Sequence, residues 1–148
     1  LQARWGSHGD YVFVAFCPSS AQECIELTID AFNTAYRYRV PVFILMDEVV
    51  GHMAERVVIP AAEDIPIVRR KGPRKKPGEA QFLPYAPDDD LVPPSAHAGE
   101  GYKVHFTGLT HDERGYPSKL AETHQHLVTR LINKIQTNAE EIIRTDNY

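Results

Sequence analysis

Two polar clusters follow the most apolar runs of the chain, and both could contact a ligand. Cys17-Pro18-Ser19-Ser20 follows residues 11–16, and Asp47-Glu48 closes residues 41–46. In open α/β sheets, ligands bind beyond the carboxyl ends of the strands, and a helix start there presents free N–H groups to an anion. The same side chains could equally cap helices and support the core. With that alternative open, the candidate cofactor-binding residues are Ser19, Ser20, Asp47 and Glu48.

The pattern around these clusters predicts the elements that position them. Residues 11–16 form a continuous apolar run that is typical of a strand buried on both faces. A capping box of Ser19 with Gln22, or of Ser20 with Glu23, predicts a helix start, and apolar residues then recur at helical spacing as far as Tyr36. Residues 41–46 predict a second strand. We therefore expect a right-handed βαβ crossover in a parallel sheet.

The middle of the chain has a different composition. Eight of the eleven prolines lie in residues 53–100, where they exclude a long helix or a central strand. Six cations in residues 69–76 could grip phosphates, but they lack interleaved aromatic side chains, and residues 88–90 are all Asp. A solvated, surface-hugging connection is the favoured interpretation.

The last third returns to regular patterns. Residues 102–107 predict a strand, residues 107–117 a loop, and residues 118–143 a long helix. The predicted fold class is thus α/β. We divide the chain into a βαβ part at residues 1–52, a Pro-rich connection at 53–100, and a strand, loop and long helix at 101–148.

The other reactive side chains give weaker signals. His111-Asp112-Glu113 are adjacent in a loop and His124 and His126 point apart on a helix, so we predict no metal site. Cys17 lacks a specified histidine partner and is expected to be a buried, inert thiol. Two cysteines suggest a reducing, cytoplasmic location, the net charge of −4 gives no basic field for nucleic acid, and no apolar run could span a membrane.

Several long motifs closely resemble one family. In chain order they are LQARWGSHGDY, CPSSAQECIELTIDAFN, YRVPVFILMDEVVGHM, GEGYKVHFTGLTHDERGYP and RLINKI. They are similar to the alpha subunit of the 2-oxoacid:ferredoxin oxidoreductases, particularly the 2-oxoglutarate type, and the match is weakest at residues 61–96.

The resemblance implies a function and its cofactors. Such enzymes oxidatively decarboxylate a 2-oxoacid, transfer the acyl group to coenzyme A and reduce ferredoxin. Thiamine diphosphate carries the carbanion chemistry, with its aminopyrimidine on a parallel-sheet domain of the alpha subunit. The beta subunit holds the diphosphate, Mg and an iron–sulfur cluster, and gamma and delta subunits can be present.

The family's activating glutamate and substrate-side motifs precede the QARWGSHGD stretch. We therefore expect an internal piece of a longer subunit that carries no catalytic residue and is inactive alone. One alternative is a non-catalytic α/β assembly or interaction module. Another is a flavodoxin-like nucleotide binder at Ser19 and Ser20, although Pro18 disfavours the open loop it would need.

Overall fold

The computed structural model describes residues 2–6 and 11–145, which form two compact units. One unit comprises Leu1–Arg69 and Asn138–Tyr148, and the other comprises Arg70–Thr137. The predicted division of the chain at residues 1–52, 53–100 and 101–148 stays a prediction.

The first unit is built on the predicted βαβ crossover. After a short helix α1 (Gln2–Trp5), strand β1 (Val14–Phe16) leads into helix α2 (Ala21–Tyr38) and strand β2 (Val42–Ile44). The strands pair in parallel, with Val14 opposite Val42 and Phe16 opposite Ile44. The parallel α/β fold is therefore confirmed.

Helix α2 begins and ends where its sequence allows. Ser20 is the N-cap, and the backbone of Arg39 turns left-handed at the carboxyl end with φ of 48°. Val40, which precedes Pro41, is buried and has left the helix, as the steric effect of proline predicts. Ala31 and Tyr38 are the buried positions of α2.

The strands are less buried than the sequence indicates. Val14 and Phe16 are buried, whereas Ala15 and Phe43 are exposed, so the prediction of burial on both faces is wrong for this structure. The physical reason is that one face of this sheet has no helix packed against it among the described residues. A parallel sheet needs helices on both faces, and a single crossover supplies only one.

After β2 the first unit continues without long elements. Helix α3 spans Glu48–His52, and a single turn of 3-10 helix spans Ala62–Asp64. Helix α5 (Ala139–Ile142) belongs to the same unit. Its Glu141 carboxylate accepts hydrogen bonds from Arg37 Nη1 at 3.0 Å and from Tyr38 Oη at 2.9 Å on α2.

The second unit contains one long element, helix α4 (Ala121–Gln136). The long C-terminal helix is thus confirmed, although it starts three residues late and a turn separates it from α5. That turn falls at Thr137, whose side chain hydroxyl donates to the Asn133 carbonyl at 2.7 Å, and at Asn138, whose φ of −108° is not helical. Thr and Asn are weak helix formers because their side chains compete for backbone hydrogen bonds.

Residues 102–107 form no strand, so that prediction is wrong. Burial still alternates along part of the segment, since residues 102, 104 and 107 are more buried than their neighbours. The segment nevertheless pairs with no strand of the described sheet. Its first residue is held by a side chain instead, since the Tyr102 hydroxyl donates to the Lys75 carbonyl at 2.7 Å. Residues 53–100 contain no long helix and no strand, as their prolines predict, and only the 3-10 turn interrupts irregular backbone there.

Within the described residues, no helix is long and apolar enough to cross a membrane.

Candidate functional site

The carboxyl ends of β1 and β2 lie side by side and carry the four candidate residues. The backbone N–H of Leu45 donates to the Phe16 carbonyl at 2.8 Å, which continues the pairing one residue beyond β2. Residues 17–20 then turn into α2, and residues 45–47 turn into α3. We call residues 17–20 and 45–49 the carboxyl edge. Its position is the one at which ligands bind in open α/β sheets.

Ser19 and Ser20 both contribute to the start of α2. Ser20 Oγ accepts from the Glu23 N–H at 3.1 Å, and a Glu23 carboxylate oxygen accepts from Ser19 N at 2.7 Å and from Ser19 Oγ at 2.9 Å. Of the two predicted capping boxes, the structure forms the cap of Ser20 with Glu23, and the Glu23 carboxylate returns to Ser19, one residue before the N-cap. The hydrogen bond from the Ser19 backbone, followed by that from its hydroxyl, lowers the pKa of Glu23.

Asp47 caps the start of α3 in the same manner. Its Oδ1 accepts from the Val49 N–H at 2.8 Å, and its carbonyl accepts from Gly51 N at 3.0 Å. Glu48, in the first turn, is exposed. Three of the four candidates therefore take part in helix-start hydrogen bonding, which is the alternative role stated above. Their contact with a cofactor stays a prediction.

Negative charge and exposed apolar side chains lie together at the carboxyl edge. Around it lie the carboxylates of Glu23, Asp47 and Glu55. Two N–H groups in the first turn of α2 are already bonded, Gln22 N to Glu55 at 3.4 Å and Glu23 N to Ser20 Oγ at 3.1 Å. A diphosphate would meet negative charge there. The exposed side chains of Met46 and Val49, 49% and 72% accessible, instead offer apolar contact to a neutral ring.

Cys17 departs from its expected burial. It is exposed and unpaired, because β1 ends at Phe16 and the chain turns outward at residue 17, while Pro18 is buried. Cys24, also a free thiol, approaches Met46, with Sγ 3.4 Å from Sδ. The two thiols form no disulfide, and the contact of Cys24 joins α2 to the carboxyl edge.

The polar residues of the 107–117 loop hydrogen-bond one another within a turn. Asp112 Oδ2 accepts from Arg114 Nε at 2.9 Å and Nη2 at 2.7 Å, and Oδ1 accepts from the N–H groups of Arg114 and Tyr116. Burial alone would raise the pKa of Asp112, but these hydrogen bonds outweigh it and the pKa is lowered. His111 Nδ1 contacts the Leu109 carbonyl at 2.8 Å.

His124 is exposed, and its Nδ1 lies within hydrogen-bonding distance of Thr110 Oγ1 at 3.0 Å. Among the residues whose placement is described, no group of three or more His, Cys, Asp or Glu side chains could hold a metal ion.

The basic and acidic runs of the connection meet each other. Lys71 Nζ lies 2.9 Å from an Asp88 oxygen and 2.5 Å from an Asp90 oxygen, and Arg74 Nη2 lies 2.6 Å from Asp88. The hydrogen bond from Lys71 is the main cause of the lowered pKa of Asp88. The sequence carried a signal for this pairing, since the opposite charges lie within one irregular segment, but we predicted only their exposure.

Sequence reasoning also missed a cavity in the second unit. It has a volume of about 550 Å³ and lies between residues 85–91, the 107–117 loop and helix α4. Its polar lining includes Glu113, Glu122, His126 and Asn133.

Comparison with known proteins identifies the family. A family model described as "Pyruvate flavodoxin/ferredoxin oxidoreductase, thiamine diP-bdg" matches residues 1–130. The chain belongs to this family. The match covers the βαβ unit, the Pro-rich connection and the first part of α4, so the carboxyl edge described above is part of a domain of this thiamine diphosphate-binding family.

Curated relatives in this family are subunits of oxidoreductases. The chain is 54% identical over 144 residues to the 2-oxoglutarate synthase subunit KorA of Methanocaldococcus jannaschii, covering 97% of this chain and 38% of that protein. It is 51% identical to the corresponding subunit of Methanothermobacter marburgensis, over 97% of this chain and 37% of that one. The chain thus spans less than two-fifths of the length of these relatives.

A solved member of the oxidoreductases has the same fold. The 2-oxoglutarate:ferredoxin oxidoreductase from Magnetococcus marinus, solved with 2-oxoglutarate, coenzyme A and succinyl-CoA bound, matches with a TM-score of 0.80 and 26% identity. The match covers 97% of this chain and 25% of that one.

Proposed function

We propose that this chain is part of the alpha subunit of an enzyme that oxidatively decarboxylates 2-oxoglutarate to succinyl-CoA and passes two electrons to ferredoxin. The observation that carries the proposal is the 54% identity to a 2-oxoglutarate synthase subunit along 97% of the chain. The structural match to a 2-oxoglutarate:ferredoxin oxidoreductase also supports it.

Within this enzyme, the carboxyl edge would face the aminopyrimidine of thiamine diphosphate. Bound thiamine diphosphate supplies the carbanion chemistry that decarboxylation of a 2-oxoacid requires. Met46 and Val49 would provide apolar contact, and the carboxylates of Asp47 and Glu48 would accept hydrogen bonds. The negative charge of this edge supports placing the diphosphate and Mg on the beta subunit, as the resemblance implies.

A charge-neutral substitution tests the carboxyl edge. Asn is as good an N-cap as Asp, so Asp47→Asn should keep α3 folded while removing the charge. In the full-length assembly we expect the Kd for thiamine diphosphate to rise by roughly tenfold, the loss of one charge-assisted hydrogen bond. Asp64→Asn, in the 3-10 turn, is the matched control. Equal affinities in the two variants would contradict a contact between Asp47 and the cofactor.

The substrate is assigned from the extent of similarity. The match to the 2-oxoglutarate synthase subunits covers 97% of the chain, whereas that to the ketoisovalerate oxidoreductase subunit VorB of Methanothermobacter marburgensis covers 38%, at 49% identity. Coenzyme A-dependent reduction of ferredoxin by the native assembly, measured with 2-oxoglutarate, pyruvate and 2-oxoisovalerate, should give the highest kcat/KM with 2-oxoglutarate. A higher value with either competitor would refute this substrate.

The enzyme would need partners. We propose a beta subunit that carries the iron–sulfur cluster, with gamma and delta subunits in the same cytoplasmic assembly. The exposed strand positions Ala15 and Phe43 support this, because an uncovered parallel sheet needs further chain against it.

The second candidate is a non-catalytic assembly module. One observation favours it: Ser20 and Asp47 already serve as helix caps. In that case the native assembly would contain this chain without thiamine diphosphate and would oxidise none of the three 2-oxoacids.

A further inference from the structure

The segment that follows α3 is fastened to α2 by side-chain amides. We call residues 54–68 the strap. The Gln22 amide donates to the Val58 carbonyl at 3.1 Å and accepts from the Val58 N–H at 2.7 Å. The Asn33 amide donates to the Pro66 carbonyl at 2.8 Å and accepts from the Val68 N–H at 2.9 Å. Each amide thus pairs with the strap as a neighbouring strand would.

The two amides form a matched pair on the helix. Gln22 and Asn33 are eleven residues apart, about three turns, so they lie on the same face of α2 roughly 16 Å from each other. Between the two fastening points the strap contains the 3-10 turn Ala62–Asp64. Both ends of the strap are therefore attached, with a compact turn between them.

Apolar burial contributes little to this attachment. Val58, Ile59 and Ile67 are 65%, 74% and 78% exposed, and Val57, Pro60, Ile65 and Val68 are only half-buried. A segment with few buried apolar contacts lies at the low-stability end of a structure, where local opening precedes global unfolding. The hydrogen bonds of Gln22 and Asn33 then decide whether the strap is closed.

The strap also reaches the carboxyl edge. Its Glu55 Oε1 lies 3.4 Å from the backbone N of Gln22, within the first turn of α2. This is the position at which a helix start accepts an anion, and here the protein's own carboxylate is close to it. Release of the strap would remove that carboxylate from the carboxyl edge.

We propose that the strap is a separately releasable element, and that Gln22 and Asn33 are the positioning residues that hold it closed. The strap opens without unfolding of the βαβ crossover, and its opening withdraws Glu55 from the start of α2. This proposal rests on the contacts of the first unit and does not depend on which 2-oxoacid the enzyme uses.

Hydrogen exchange followed by mass spectrometry on the full-length assembly tests the proposal. The variants are Gln22→Ala and Asn33→Ala. The matched control is Gln125→Ala, which removes an exposed helical amide that bonds Thr129 in its own helix. The side-chain amides of Gln22 and Asn33 each make two hydrogen bonds to the strap. Loss of these bonds should quicken exchange of the backbone N–H that each side chain holds, Val58 for Gln22 and Val68 for Asn33, by roughly 5- to 150-fold.

The remaining amides discriminate between outcomes. The proposal predicts that Ala31 in α2 keeps its protection in both variants and that the control exchanges as the parent does. Asn33→Asp, which keeps the acceptor for Val68 N–H but loses the donor, should fall between parent and Asn33→Ala. Unchanged protection of the strap in both alanine variants would overturn the proposal that Gln22 and Asn33 hold the strap closed. Joint loss of protection in the strap and in α2 would overturn the proposal that the strap opens without unfolding of α2.

Discussion

Gly115 offers a sharp test of the loop that borders the cavity. Its φ is 91°, which an L side chain rarely adopts, and a Cβ there would overlap the carbonyl oxygen of His105. The same Cβ would come within 2.9 Å of a ring carbon of Tyr85. The N–H of Gly115 donates to the Asp112 carbonyl at 3.0 Å. Backbone conformation and packing therefore both require glycine at this position.

Gly115→Ala should destabilise the loop substantially. A left-handed alanine costs about 1–2 kcal/mol, and displacing backbone to relieve the overlap costs about 1–3 kcal/mol. The two costs together come to roughly 2–4 kcal/mol, because a backbone shift that relieves the overlap also relieves part of the conformational strain. Hydrogen exchange of the 111–118 amides in the full-length subunit should quicken by roughly 30- to 900-fold.

Gly108→Ala is the control for this experiment. Gly108 lies in the same loop region, has no positive φ, and a Cβ there would meet no atom within 4 Å. It should therefore behave as the parent to within about 0.5 kcal/mol. If Gly115→Ala and Gly108→Ala exchange alike, the packing described around His105 and Tyr85 is incorrect.

Three further predictions concern hydrogen bonds and charge. Ser20→Ala should cost about 1 kcal/mol of α2 stability in urea unfolding, and Ser19→Ala less, because only Ser20 is the N-cap. The pKa of Asp112 is lowered, so its ionised carboxylate stabilises the loop fully above the ordinary value of 3.8, and this contribution is lost as pH falls through the folded value. Protection of the loop amides, corrected for the intrinsic pH dependence of amide exchange, should therefore fall on acidification, and Asp112→Asn should abolish this dependence. Lys71→Gln should lower the free energy of unfolding, measured in urea, by about 1 kcal/mol or less, and by less still in about 1 M salt, because its ion pairs with Asp88 and Asp90 are partly solvated.

The βαβ unit could be predicted because its signals are local. Apolar runs, a Ser and Glu at capping distance, and a residue forced out of the helix by Pro41 each act within a few residues. Neighbouring positions therefore determine α2 and the two strands. The carboxyl edge followed from the topology, since parallel strands end on the same side.

The remaining features depend on contacts between distant residues. Nothing near residue 22 or 33 in the sequence indicates that their amides bond a strap more than thirty residues away. The strand predicted at 102–107 failed because alternation alone does not supply a pairing partner. Cys17 was expected to be buried from the average behaviour of cysteine, but the turn after β1 exposes it.

The composition of the native assembly tests the central claim most directly. The assembly, isolated through this chain, should be analysed for thiamine diphosphate, iron and the intact mass of each subunit. We predict stoichiometric thiamine diphosphate, a co-purifying subunit that contains iron, and a parent polypeptide heavier than the 16.7 kDa of this sequence. A chain of 16.7 kDa that purifies with neither cofactor would contradict the account.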